Sequence, residues 1–187
     1  LYTYKHMTPN FGNFSHPASN IKTMTIGEGS VVVDLGAGSG FYTLEAARTV
    51  GPDGRVYAVD VQKGLLDRTT LSAEAEHLTN VDVLWGDVEK IGGSKVGTDK
   101  ADMVLVCNIL FQIENKEDLL TEAFRIVKPN GRVCVIDWSD SHFGLGPDAD
   151  QVITADQAKE LFSKKFTLDK EFDAGDHHYG LIFRNNA

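Results

Sequence analysis

The chain is short of the residues that would tie it to several common functions. Two cysteines in 187 residues cannot build a disulfide framework. Lys and Arg number 18 against 27 Asp and Glu, a net charge of −9. Nucleic-acid binding draws much of its affinity from cationic side chains that displace counterions, and the longest basic run here is Lys164-Lys165. DNA and RNA are thereby disfavoured as substrates. No apolar stretch approaches the roughly 20 residues of a membrane span. No charged segment followed by an apolar signal region opens the sequence, so a cytoplasmic protein is expected. What remains is an ordinary globular composition, 42% hydrophobic and 24% charged, with enough chain for one substantial core.

One further absence is more telling. Val31-Val32-Val33-Asp34-Leu35 is a β-branched run apolar on both faces, as a buried parallel strand is. Gly36, Gly38 and Gly40 follow, and Phe41, Leu44, Ala46, Ala47 and Val50 then read as a helix. Strand, glycine loop and helix make a nucleotide-binding start, because glycine brings backbone N–H groups close to a ligand with no Cβ in the way. A dinucleotide loop needs its third glycine at position 41 for close helix–strand packing. Phe41 stands there instead, which counts against NAD, FAD and a nicotinamide oxidoreductase.

A second apolar strand, Arg55 to Val61, carries Asp60 at its carboxyl end, about 20 residues past the glycine loop. An acid at that distance accepts from ribose hydroxyls. Further strands are expected over 81–85, 101–107 and 131–138, and helices from Gln62 to Leu78, from Asn115 as N-cap, and from a Thr154–Gln157 capping box to about Lys165. Residues 90–100 read as a loop, and 166–172 and 179–184 as two closing strands. This alternation predicts an open parallel sheet with helices on both faces. One segment recurs: Val50-Gly51-Pro52-Asp53-Gly54-Arg55-Val56-Tyr57-Ala58-Val59-Asp60 matches Val127 to Asp137 in type and spacing. Convergence on one helix-to-strand turn is the reading preferred to duplication, and either way the match places Asp137 at the ligand-binding edge of the sheet.

Asp-Leu-Gly-Ala-Gly-Ser-Gly, with Asp60 downstream, closely resembles the first motif of the class I S-adenosylmethionine-dependent methyltransferases, and the likeness in element order spans roughly residues 25 to 185. The resemblance implies a Rossmann-like class I methyltransferase fold: α/β, a mostly parallel seven-stranded sheet with helices on both faces and a reversed final strand. It implies S-adenosylmethionine as cofactor and S-adenosylhomocysteine as product. Asp34 would help hold the cationic methionine end, while Gly36, Ala37, Gly38 and Gly40 pass under the cofactor. Asp60 would meet the ribose, with Val61 beside it also at the cofactor, Asp87 and Val88 the adenine, and Cys107 and Asn108 the methionine end. A turn role for Asp87 is an equal alternative.

The departures matter as well. No Asn-Pro-Pro-Tyr follows the fourth strand; Asn108-Ile109-Leu110-Phe111 offers an apolar wall instead. Two buried cysteines fall short of the several that arsenite methyltransferases use, and the segment characteristic of quinone-biosynthesis methyltransferases is missing. Asp137, Asp140 and His142 are the nearest approach to a metal cluster, and no metal is expected. A general base is needed only if the acceptor is protonated at neutral pH, and the candidates are Asp137, His142 and the pair His177-His178. Residues 1–24 form an aromatic-rich segment (Tyr2, Tyr4, His6, Phe11, Phe14, His16) that is a lid or a strap, ahead of a cofactor-binding domain over 25–187. The expected partner is a small-molecule acceptor, with no nucleic acid and no membrane, and with pairing of two copies left open. Protein or tRNA methylation and a non-catalytic cofactor-binding module stand as alternatives.

Overall fold

A computed structural model describes residues 15–141 and 146–187. The chain runs α1 (Pro17–Met24), β1 (Val31–Leu35), α2 (Phe41–Val50), β2 (Arg55–Asp60), α3 (Lys63–Ala75) and β3 (Val81–Trp85). It continues through β4 (Ala101–Cys107), α4 (Lys116–Ile126), β5 (Val127–Trp138), α5 (Ala155–Phe162), β6 (Thr167–Gly175) and β7 (His178–Arg184). The strands form one sheet in the order β3-β2-β1-β4-β5-β7-β6. Pairing is parallel from β3 to β5, and β7 lies antiparallel to both β5 and β6. The reversed final strand is therefore present. β1 is flanked by β2 on one side and β4 on the other, so successive connections leave it in opposite directions. In open α/β sheets a ligand crevice opens at that point, beyond the strands' carboxyl ends.

Alternation along the strands sorts the core into two layers, since successive side chains point to opposite faces. Val33, Leu35 and Val104 pack with Leu119 and Leu120 of α4 and Phe162 of α5. Val32 and Met103 pack on the other face with Ile21 and Met24 of α1 and Ala46 of α2. Both cysteines are buried on that second face. α1 thus belongs to the packed domain, although the sequence grouped it with the N-terminal segment. Asn20 fastens it, donating from Nδ2 to the Ala174 carbonyl at 2.9 Å and to the Tyr42 hydroxyl at 2.9 Å. The aromatic residues before Ser15, and with them the lid expectation, lie outside the described residues.

The expected caps are in place. Asn115 Oδ1 accepts from the Asp118 N–H at 3.2 Å, and Thr154 and Gln157 form the reciprocal capping box. The recurring turn is reproduced in packing: a Cβ on Gly54 would meet Val50, and one on Gly131 would meet Val127, four residues earlier each time. The second copy differs in one respect. β5 starts at Val127, where Val127 pairs with Ala101, and the register shifts before Met103 pairs with Arg132. An early pairing thus replaces the expected helix end, because Val127 leaves α4 already extended at φ −74°, ψ 135°.

Candidate functional site

The carboxyl ends of β1, β2 and β4 surround a cavity of about 250 Å³ whose lining includes Asp34, Gly36, Gly38, Asp60, Cys107 and Asn108. A second cavity of about 160 Å³ shares Gly36 and Asp60 with it and extends past Val61 to Asp87 and Val88. The glycine loop is held against β2: the Gly36 and Ala37 N–H groups donate to the Val59 carbonyl at 2.8 and 3.0 Å. Asp60 completes the tie. Its Oδ2 accepts from the Gly38 N–H at 2.9 Å and its Oδ1 from the Gln62 N–H at 2.8 Å. Gly36 at φ +76° leaves no room for a side chain, since a Cβ there would lie 2.6 Å from Ile109. Gly38 at φ +54° is different, because a Cβ there would meet nothing within 4 Å and would point into open space. Gly40 lines neither cavity; it donates to the Ala37 carbonyl at 2.9 Å and stands at the head of α2.

Asp34 is buried, with Oδ2 accepting from the Thr43 hydroxyl at 2.6 Å. Burial pushes its carboxyl up to about 6, the Thr43 bond opposing and the Asp60 charge adding. The Cys107 thiol is pushed well above its ordinary range by burial, with Cys134 and Asp34 adding. Asn108 turns the chain in the left-handed region at φ +58° and donates its N–H to the Ile136 carbonyl at 2.7 Å. Its side-chain Oδ1 is buried with no hydrogen-bond partner among the described residues. An acceptor in that state is costly unless a ligand completes it. Asp87 caps its own turn through the Glu89 N–H at 3.0 Å and pairs with Lys90 at 2.8 Å, which together hold its carboxyl below the usual range.

A family model described as a methyltransferase domain matches residues 26–181. The chain belongs to the class I S-adenosylmethionine-dependent methyltransferases. A demethylmenaquinone methyltransferase from Lactococcus lactis is 30% identical over 125 residues, covering 65% of this chain and 47% of that protein. An arsenite methyltransferase from Halobacterium salinarum is 29% identical over 109 residues, covering 58% of this chain and 27% of that protein. The chain thus matches half or less of the length of these curated relatives. A SAM-dependent methyltransferase from Aquifex aeolicus superposes with a TM-score of 0.85 at 24% identity, covering 95% of this chain and 93% of that one.

The features of this site fit the cofactor of the family. Gly38 leaves open space where a side chain would stand, the Asp60 carboxylate is fixed at the cavity by the loop N–H, and Asn108, which also lines the cavity, has a buried side-chain acceptor with no partner among the described residues.

The acceptor-side candidates are placed less favourably. Asp137 lies outside both cavities, fully buried, its Oδ2 accepting from the Leu110 N–H at 2.8 Å and its Oδ1 from the Trp138 N–H at 2.8 Å. Burial raises it to about 6, against those backbone bonds. It therefore holds the turn after β4 and opens onto neither cavity. His177 also lines neither cavity; it sits in the β6–β7 turn with Nδ1 2.7 Å from Asp140 Oδ1. His178 packs on Trp138, ring centres 4.3 Å apart. His142 lies outside the described residues. Among the described residues no three His, Cys, Asp or Glu side chains converge as a metal site would require, and no helix is long and apolar enough to cross a membrane.

The cavity instead recruits residues that the pattern did not assign to the site. Tyr42 lines it with its hydroxyl held by Ser15 and Asn20, and Phe41, 60% exposed, stands at its rim beside Pro17. Phe41 and Tyr42 directly follow the glycine loop, which is the one signal that could have found them. Thr43 and Ser15 gave none, because small polar residues are common at helix starts.

Proposed function

We propose that the chain transfers a methyl group from S-adenosylmethionine to a small-molecule acceptor. The observation that carries this is the pair of contiguous cavities at the β1–β4 crevice, with Asp60 fixed on the glycine loop and Asn108 Oδ1 without a partner among the described residues. Asp60 would hold the ribose hydroxyls, Asp87 and Val88 the adenine, and Asp34, Cys107 and Asn108 the methionine end. The sulfonium of that cofactor makes its methyl group electrophilic. The chain's own task is then to align an acceptor and exclude water, which supplies rate through proximity and orientation. Phe41, Pro17, Ser15 and Tyr42 form the apolar and hydroxyl-bearing rim suited to that task.

Two further observations support a small acceptor. The matched relatives are named for arsenite and for demethylmenaquinone, both small molecules. The net charge of −9 does not suit a nucleic acid. Calorimetric titration with S-adenosylmethionine, S-adenosylhomocysteine and NAD tests the reading. Micromolar binding of the first two, weakened in Asp60→Ala, supports it and opens an acceptor screen. Binding of NAD alone overturns it.

A further inference from the structure

Beside the second cavity lies a third, of about 400 Å³, which shares Val61, Gly86 and Asp87 with it and continues to Trp85, Lys90 and Lys95. On the cofactor reading above, on which this inference rests, the adenosine is accommodated by the first two cavities and leaves the third over. Its floor is apolar and open: Val61 is 56% and Trp85 53% exposed. Trp85 ends the edge strand β3, and its indole N–H donates to the Val61 carbonyl at 3.0 Å, which fixes the ring against the β2–α3 link. Two ammonium groups lie over that ring, Lys63 Nζ at 4.1 Å and Lys95 Nζ at 5.1 Å from its centre.

Neither of these lysines is ion-paired among the described residues, whereas Lys90 is paired with Asp87. Each ammonium rests over the indole in a cation–π contact, which leaves its N–H groups able to hold an anion, and the apolar surface beside them is exposed. In a chain where acids outnumber bases, this concentration of cations is a local feature with a local use. A compact anion draws both ammoniums together, and a flat ring attached to it covers the indole and Val61 as the lysines swing off the ring face.

We propose that this groove is a second ligand site, for an organic phosphate such as a nucleoside monophosphate: the phosphate is held by Lys63 and Lys95, and the base lies against Trp85 and Val61. The site is coupled to the cofactor through Lys90. An anion in the groove competes with Asp87 for the Lys90 ammonium and frees the Asp87 carboxylate, the group assigned to the adenine. Each ligand therefore tightens the other, by thermodynamic reciprocity.

The test is a calorimetric titration of adenosine monophosphate into protein saturated with S-adenosylhomocysteine, so that the adenosine position is already filled, with Trp85 fluorescence as a second signal. The expected result is one saturable site, weakened at least about tenfold in the Lys63→Ala/Lys95→Ala double variant. Adenosine and inorganic phosphate alone bind at least about tenfold more weakly than the monophosphate. Saturating monophosphate lowers the dissociation constant of S-adenosylhomocysteine about fivefold, and Lys90→Ala abolishes that effect. All three lysines are on the surface, and an unchanged thermal midpoint verifies that the variants fold. No binding to the loaded protein, wild-type affinity in the double variant, or inorganic phosphate binding as tightly as the monophosphate each overturns the proposal. If S-adenosylhomocysteine itself does not bind, the cofactor reading fails separately. The monophosphate titration then still decides this site through its dependence on Lys63 and Lys95.

Discussion

The carboxylate of Asp60 accepts the Gly38 N–H at 2.9 Å, joining the acid at the end of β2 to the middle of the glycine loop after β1. Its other oxygen holds the Gln62 N–H, so one side chain sets the spacing of both walls of the cavity. Charge-assisted bonds of this kind contribute about 1.5–3 kcal/mol each. Asp60→Ala is therefore expected to weaken S-adenosylhomocysteine binding by about 100-fold, since it removes the proposed ribose acceptor and loosens the loop together. Asp60→Asn keeps the shape but presents an amide N–H toward a backbone N–H, and is expected to fall nearly as far. Calorimetry on both variants checks this, and wild-type affinity in either would remove Asp60 from the site.

Asp34 gives a pH dependence whose sign is fixed by its burial. Its carboxyl sits at about 6 in the folded chain against 3.8 for the ordinary group, so the folded state binds the proton more tightly than the unfolded one. The stabilisation is fully present below pH 4 and is lost as pH rises through 6. Asp137, also raised to about 6, acts in the same direction. Each is expected to make the ligand-free protein about 1 kcal/mol more stable at pH 5 than at pH 7. Urea unfolding at the two pH values should show the difference, and Asp34→Asn should reduce it. Ligand preference moves the opposite way. S-adenosylmethionine carries a positive charge that S-adenosylhomocysteine lacks, so its affinity relative to the product should fall as Asp34 is protonated below pH 6. A ratio that stays constant from pH 5 to 8 would take Asp34 away from the methionine end.

What the sequence disclosed is what local pattern encodes. The valine run, the glycine loop and the two strand-end acids brought Asp34, Gly36, Gly38 and Asp60 to one crevice, with Gly40 set apart from it, and Asn115 and Thr154 foretold their helix starts. Side of approach was not encoded. A strand-end position put Asp137 at the correct edge of the sheet, but only the path of the turn after β4 shows that the Leu110 and Trp138 N–H groups consume it. The Tyr42–Ser15–Asn20 cluster was equally hidden, because its members are 27 and 22 residues apart and meet only once α1 has docked. Asp87 illustrates the limit of motif reading. Its carboxylate makes the turn contacts of a loop residue while still lining the second cavity, so both readings of the sequence survive in one side chain.

Glu122 on α4 gathers the Gly92 N–H, the Ser94 N–H and hydroxyl, and the Arg125 guanidinium around one buried carboxylate. Those bonds hold it down to about 2 against the cost of burial. The Gly93 carbonyl in the same turn accepts from the Asp87 N–H at 3.0 Å, so this cluster supports the floor of the second cavity from below. Breaking a buried ion pair costs about 3–5 kcal/mol. Glu122→Gln keeps the volume and part of the bonding, and is expected to lose about 2–3 kcal/mol, a fall of about 4–12 °C in thermal midpoint for a domain of this size. Because the folded carboxyl lies below its ordinary 4.5, its stabilisation is present above that value and lost as pH falls toward 2. The wild-type and variant stability curves should therefore converge in acid, and a gap that stays constant down to pH 2 would remove the charge from the explanation.

The three loop glycines separate folding from binding. A side chain on Gly36 collides with Ile109 at 2.6 Å, and one on Gly40 with Thr69 at 2.7 Å, each at a positive φ. One on Gly38 meets nothing within 4 Å and enters the cavity. All three pay the left-handed cost of about 1–2 kcal/mol for a non-glycine residue, but only Gly36→Ala and Gly40→Ala add a collision. Gly38→Ala should therefore melt closest to the wild type, about 2–8 °C below it, while losing at least about tenfold in S-adenosylhomocysteine affinity. Gly40→Ala should show the reverse, a larger fall in thermal midpoint with smaller loss of affinity in the folded fraction, since Gly40 supports α2 and does not face the cavity. Measuring melting and binding on the same three samples decides the matter. If Gly38→Ala binds as the wild type does, the cofactor does not pass across Gly38, and the cradle assigned to it has to be sought elsewhere along the crevice.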